Sequence, residues 1–194
     1  MKKIDYVCVY CGSSNRVDQL YKDAAVALGR GIADEGWGVV YGGGRVGLMG
    51  IVADSALAMG AKVIGIIPEH IQSREIEHHD LTELHVVDSM HTRKRMMVER
   101  SDAFVVLPGG LGTLDELFEL LTWRQLGLHD KPVVLVNLNG YWDKLIEAID
   151  HIAAVGFMRP DDRHTFQVVD TVADVAAAIK AAPAETFDPS TKWI

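Results

Sequence analysis

The chain has 194 residues, 48% of them apolar and 24% charged, which excludes a disordered polypeptide and suits one well-buried domain. Lys and Arg number 19 against 27 Asp and Glu, a formal charge of −8, and that balance argues against a nucleic-acid or anionic-membrane binder, both of which need a basic surface. The 2 cysteines exclude a disulfide framework and point to a reducing cytoplasm, the N-terminus lacks a signal-peptide core, and no apolar run reaches the roughly 18–20 residues of a membrane span.

Tyr6-Val7-Cys8-Val9-Tyr10 reads as a strand ending at Cys11-Gly12-Ser13-Ser14. Val17, Leu20, Tyr21, Ala24, Ala25, Leu28 and Ile32 then recur at helical spacing, and Gly36 stops that helix. Gly38–Tyr41 is a second strand, followed by a glycine cluster and a helix from about Gly47 to Met59. Lys62–Ile67 is a third strand, stopped by Pro68, and the polar stretch from Glu69 to Glu83 reads as a long loop. Leu84–Val87 forms a fourth strand and Met90 to about Arg100 a helix. Ala103–Leu107, the fifth strand, runs into Pro108-Gly109-Gly110, and the helix after it carries Leu114, Leu117, Phe118 and Leu121 on one face. A sixth strand spans Val133–Leu138, and a helix from Trp142 to Val155 ends at Gly156. A strand near Phe166–Val169 and a helix over Thr171–Ala181 complete the pattern. Residues 1–182 thus read as a single nucleotide-binding domain and 183–194 as a C-terminal tail with little periodicity.

Strand–helix alternation with continuously apolar strands predicts an α/β fold: a doubly wound, Rossmann-like parallel sheet of about seven strands with helices on both faces. Ligands bind such sheets at the carboxyl ends of the strands. Three of those ends carry glycine-rich chemistry, at Gly12-Ser13-Ser14, Gly42-Gly43-Gly44 and Pro108-Gly109-Gly110, and they are expected to converge on one crevice.

After the second strand, glycines open backbone N–H groups to an anion beside a helix start. Gly42, Gly44 and Gly47 also satisfy the dinucleotide spacing, with Glu69 where a ribose acceptor would stand; a tight strand-to-helix turn explains the same glycines. In Pro108-Gly109-Gly110-Leu111-Gly112-Thr113-Leu114-Asp115-Glu116, Thr113 stands at a predicted N-cap with Glu116 three residues on. That spacing is a capping box as much as it is a catalytic carboxylate at a helix start, where the dipole favours the ionised form. Arg93 shares a helix face with Met90 and Met97, either as a snorkelling or surface-paired side chain or as a guanidinium fork for a phosphate or carboxylate.

Together, Gly-Gly-Gly-x-x-Gly-Leu-Met-Gly at 42–50, Met-His-x-Arg-Lys at 90–94 and Pro-Gly-Gly-x-Gly-Thr-x-x-Glu at 108–116 resemble the Lonely Guy (LOG) family, over roughly residues 4 to 180. Its members are cytokinin riboside 5′-monophosphate phosphoribohydrolases, often mislabelled lysine decarboxylases. The resemblance implies hydrolysis of the N-glycosidic bond of AMP or an N6-substituted AMP, releasing base and ribose 5-phosphate. By motif position Arg93 and Glu116 would be the catalytic pair. Glu75, Arg93, Lys94, Thr122 and the loop Gly110, Leu111, Gly112, Thr113, Leu114, Asp115 and Glu116 would contact the nucleotide. Gly12, Ser13, Gly43, Gly44 and Gly109 join them as strand-end residues of the crevice. A homodimer with the crevice near the subunit interface is implied, and no cofactor.

An oxocarbenium-like state suits a fixed carboxylate near the sugar, with the glycine loops and Lys94 anchoring the phosphate. The other readings are an NAD(P)-binding oxidoreductase, resting on Gly42, Gly44, Gly47 and Glu69, and a non-catalytic nucleotide-binding protein. Cys8-Val9-Tyr10-Cys11 runs through a strand, which makes it structural rather than redox. The 8 histidines show no metal-ligand spacing, so no metal is expected, and His78-His79 reads as a solvated loop pair.

Overall fold

The computed structural model describes residues 3–72 and 80–183. Its strands are β1 (Tyr6–Tyr10), β2 (Gly38–Tyr41), β3 (Val63–Pro68), β4 (Glu83–Val87), β5 (Ala103–Val106), β6 (Val133–Val136) and β7 (Gln167–Val169). They form one parallel sheet in the order β4-β3-β2-β1-β5-β6-β7. The helices are α1 (Gln19–Asp34), α2 (Leu48–Ala58), α3 (Glu69–Gln72), α4 (Met90–Glu99), α5 (Leu111–Gln125), α6 (Asp143–Ala154) and α7 (Val175–Ala181).

Successive side chains of a strand point to opposite faces, and here each face meets its own helix layer. Val7 and Val9 enter a core with Leu28, Val52 and Ile179, from α1, α2 and α7. Cys8 and Tyr10 enter the other, with Met97, Leu117 and Ile149 from α4, α5 and α6. Burial on both sides is why β1 and β5 are continuously apolar. Cys8 and Cys11 fall into opposite cores as free thiols, which fits the structural reading of that string, and burial pushes both well above the usual thiol range.

The sheet runs outward from β1 through β2 to β4 on one side and from β5 to β7 on the other. Loops after β1 and β5 therefore leave in opposite directions, opening a crevice at their carboxyl ends. Three local expectations are corrected. β6 stops at Val136, not Leu138, because Asn139 (φ 51°) and Gly140 (φ 72°) take a left-handed turn. The last helix divides into a 3-10 turn at Val172–Asp174 and α7. The long polar loop begins with one helical turn, α3, while Glu75, His78 and His79 lie outside the described residues, as does the tail from 184 onward.

Candidate active site

The three glycine-bearing loops do converge, and Gly12 joins them. Its amide donates to the Pro108 carbonyl at 3.1 Å, and its carbonyl accepts from the Leu48 amide at 2.9 Å. The Gly47 amide donates to Asn15 Oδ1 at 3.0 Å. Two amides at the start of α2 are thus already engaged within the protein and are not offered to an anion. The dinucleotide reading loses its basis here: the glycine spacing follows β2, one strand away from the switch point, and Glu69 is an exposed residue opening α3.

The start of α5 is different. The spacing places the N-cap at Thr113, but the helix begins three residues earlier than that implies, at Leu111, with Gly110 as N-cap and no side-chain capping bond. Thr113 is buried in the first turn with its hydroxyl against Gly109, and Glu116 sits in the second turn, so the capping-box alternative falls. Leu114 makes the first amide bond into the helix, to the Gly110 carbonyl at 3.1 Å. Ahead of it Leu111, Gly112 and Thr113 line a cleft of about 270 Å³. First-turn amides without a side-chain cap and the positive end of the helix dipole give this end of the cleft the chemistry to receive an anion.

Arg93 and Glu116 lie in the floor of that cleft. Ser89 caps α4, its hydroxyl accepting from the Thr92 amide at 3.1 Å, and one residue later Arg93 turns inward rather than snorkelling. Its Nε donates to the Ile66 carbonyl of β3 at 3.2 Å, and its Nη2 lies 3.3 Å from Glu116 Oε1. The guanidinium rests on Gly42, where a β-carbon would fall 2.1 Å from Nη2, so this glycine makes room for the arginine. Burial pushes the Glu116 carboxyl up to about 6 against the pull of Arg93, with Asp115 adding to the rise. Burial thus works against the ionised form that the helix dipole favours.

Lys94 does not turn to the glycine loops. It is buried against α5, 3.1 Å from Asp115 and 2.6 Å from Glu119. Burial by itself would lower the ammonium pKa, but the bonds to Glu119 and Asp115 prevail and hold it raised. Leu114 packs half-buried against the core on the α5 side. Thr122 is exposed, donates to the Phe118 carbonyl at 2.7 Å, and does not line the cleft. Gly43 and Gly44 are not among the residues that line the cleft, whereas Gly12, Ser13 and Gly110 are. Sequence reasoning missed Cys11 and Met49 as cleft residues and Ile66 as the carbonyl that seats Arg93. Met49 lay within a quoted motif, while a backbone carbonyl leaves no mark in sequence. Among the described residues, no group of His, Cys, Asp and Glu is arranged to hold a metal ion.

A doubly wound parallel domain with its cleft at the topological switch point defines a Rossmann-type α/β protein. The molybdenum cofactor carrier protein of Chlamydomonas reinhardtii shares this fold, with a TM-score of 0.72 at 22% identity over 94% of this chain and 100% of that one. Residues 49–179 match a family model described as "Possible lysine decarboxylase". The chain is 47% identical to the cytokinin riboside 5′-monophosphate phosphoribohydrolase of Rhodococcoides fascians, over 90% of this chain and 89% of the relative. It is 46% identical to the Arabidopsis thaliana enzyme LOG1, over 84% of this chain and 76% of the relative. The chain belongs to the LOG family.

Proposed function

We propose that the chain hydrolyses the N-glycosidic bond of AMP or an N6-substituted AMP to free base and ribose 5-phosphate, with Arg93 and Glu116 as the catalytic pair. The observation that carries this is the buried Arg93–Glu116 pair, 3.3 Å apart, in the same cleft as the uncapped start of α5. The amides of Leu111, Gly112 and Thr113 take the 5′-phosphate, where backbone donors and dipole act together. At about 270 Å³ the cleft lies just under the range of about 300–1,000 Å³ usual for small-molecule sites, which suits sugar and phosphate inside and the base at the mouth. As the bond to the base lengthens, positive charge grows on the sugar, and the Glu116 carboxylate stabilises it. Water then gives its hydroxyl to the anomeric carbon, Glu116 orienting it and drawing off the proton. The electron pair of the broken C–N bond goes to the base, which takes up a proton from solvent while Glu116 returns its own to solvent. Arg93 keeps the carboxylate aligned and favours its charged form.

The decarboxylase description has no support in Lys94, the one buried lysine among the described residues. Schiff-base chemistry needs a neutral amine, and Glu119 and Asp115 hold this one charged. A homodimer is part of the proposal. Leu111 and Phe118, 85% and 42% exposed on the outer side of α5, give a second subunit an apolar seat beside the cleft. Among the described residues no helix is long and apolar enough to cross a membrane, and buried free thiols suit a reducing cytoplasm. The test is incubation with AMP and isopentenyl-AMP. Free base lost in Arg93 and Glu116 variants supports hydrolysis; binding without turnover would make the chain a nucleotide carrier instead. Cadaverine formed from lysine would restore the decarboxylase reading, and light scattering decides the dimer.

A further inference from the structure

We propose that Tyr141 is a positioning residue for the anion-binding end of the cleft, because its hydroxyl donates to the Gly109 carbonyl at 2.8 Å and so sets the direction of the Gly110 N–H. The inference rests on the reading of the cleft as a site for nucleoside 5′-monophosphates.

The peptide unit joining Gly109 to Gly110 is planar, so its carbonyl and its amide point opposite ways, and fixing one fixes the other. Gly110 lines the cleft as the N-cap of α5. With glycine on both sides of that bond, no side chain restricts the rotation of the unit. The restraint has to come from elsewhere, and Tyr141 reaches across from the loop after β6 to supply it.

That loop is built to aim the tyrosine. Asn137 closes it, its Nδ2 donating to Asp143 Oδ1 at 2.8 Å and its Oδ1 accepting from the Trp142 amide at 2.7 Å. Asn139, at φ 51°, is the one left-handed residue other than glycine among the described residues, and Gly140 follows at φ 72°. Left-handed backbone at a non-glycine residue costs energy that the surrounding bonds must outweigh, and such strain clusters at functional loops. The Tyr141 ring is then wedged edge-on between Tyr21, with centroids 5.7 Å apart, and Trp142, at 4.7 Å. These contacts place the hydroxyl without help from the bond it donates.

The test is Tyr141→Phe, which removes the hydroxyl and keeps both ring contacts, with Tyr141→Leu as the variant that loses both. Binding of ribose 5-phosphate to the full chain is measured by calorimetry, beside steady-state kinetics with AMP. Both variants should raise the Kd for ribose 5-phosphate and the KM for AMP together, about three- to tenfold, as expected for one partly exposed hydrogen bond. For Tyr141→Phe, kcat should change less than the KM does and the thermal midpoint should hold. An unchanged Kd in Tyr141→Phe overturns the proposal, as does ribose 5-phosphate bound by neither the native chain nor the variants. A native chain that releases no base from AMP would sink the hydrolase reading instead, and the ribose 5-phosphate comparison would still decide the role of Tyr141.

Discussion

Arg93 and Glu116 come from different helices, α4 and α5, and meet at 3.3 Å with side chains only 11% and 9% exposed. They meet because the crossovers from β4 to β5 and from β5 to β6 run the same way across the sheet, and right-handed connections in one direction place their helices on the same face. In that low-dielectric setting two opposed effects act on the carboxylate. Loss of water favours the neutral form and the guanidinium favours the charged one, and loss of water is the larger.

Replacing Glu116 by Gln should remove most turnover without unfolding the chain. The expected loss is about 10²–10⁴-fold in kcat/KM, the usual contribution of a positioned acid–base group. The folded-state value of about 6 stands above the ordinary 4.5, so ionising this buried group costs stability. That cost is absent below the ordinary value and complete above the folded one, where it reaches about 2 kcal/mol. Gln removes it, while Arg93 loses its partner, which acts in the opposite direction. Thermal midpoints at neutral pH should therefore lie within a few degrees of each other, and release of free base measured by chromatography gives the rate.

Activity should fall on the acid side with an apparent pKa near 6, since the proposed role needs the ionised carboxylate. Arg93 lowers that value, so Arg93→Gln should move the acid limb to higher pH as well as reduce the rate. The profile of kcat/KM against pH for the two chains checks this. A limb that stays in place would separate Arg93 from the ionisation of Glu116.

Gly42→Ala tests the seat of the guanidinium. The added methyl would fall 2.1 Å from Nη2, and Arg93 cannot yield without leaving the Ile66 carbonyl or Glu116. More than about a tenfold loss of kcat is expected, since small misplacements of a catalytic group are costly. The Kd for ribose 5-phosphate should hold, because the amides of α5 are untouched. Calorimetry and steady-state kinetics on the same sample separate the two.

Lys94→Met should reveal itself in stability before affinity. It removes the cation shared by Asp115 and Glu119 and leaves the partly buried Glu119 without its bond. A loss of about 1–2 kcal/mol is expected, read from urea unfolding. A large rise in the Kd for ribose 5-phosphate with stability intact would instead make Lys94 the phosphate anchor expected from the sequence.

Much of the fold was legible because its signals are local. A strand buried on both faces has to be apolar throughout, as Val7–Tyr10 and Phe104–Val106 are, and the helices between strands repeat at a different period. The misreadings came where local signals competed. Thr113 and Glu116 have capping-box spacing, yet a glycine three residues ahead of the expected cap opens α5 without a side-chain cap, and the threonine hydroxyl packs on Gly109 instead. Val136 passes into a left-handed turn at Asn139-Gly140 where the apolar run suggested two more strand residues.

Sequence alone determined the alternation of seven strands with helices, the three glycine-bearing strand ends and the residue types of the site, since each is written within a few consecutive positions. Tertiary structure alone decided what those residues face: Arg93 meets Glu116, Lys94 meets Asp115 and Glu119, and Tyr141 reaches Gly109. It also decided the ionisation of Glu116, because that depends on how much water the packed chain excludes. Contacts between distant segments and the loss of solvent around them are properties of the assembled sheet, and no short stretch of chain contains them.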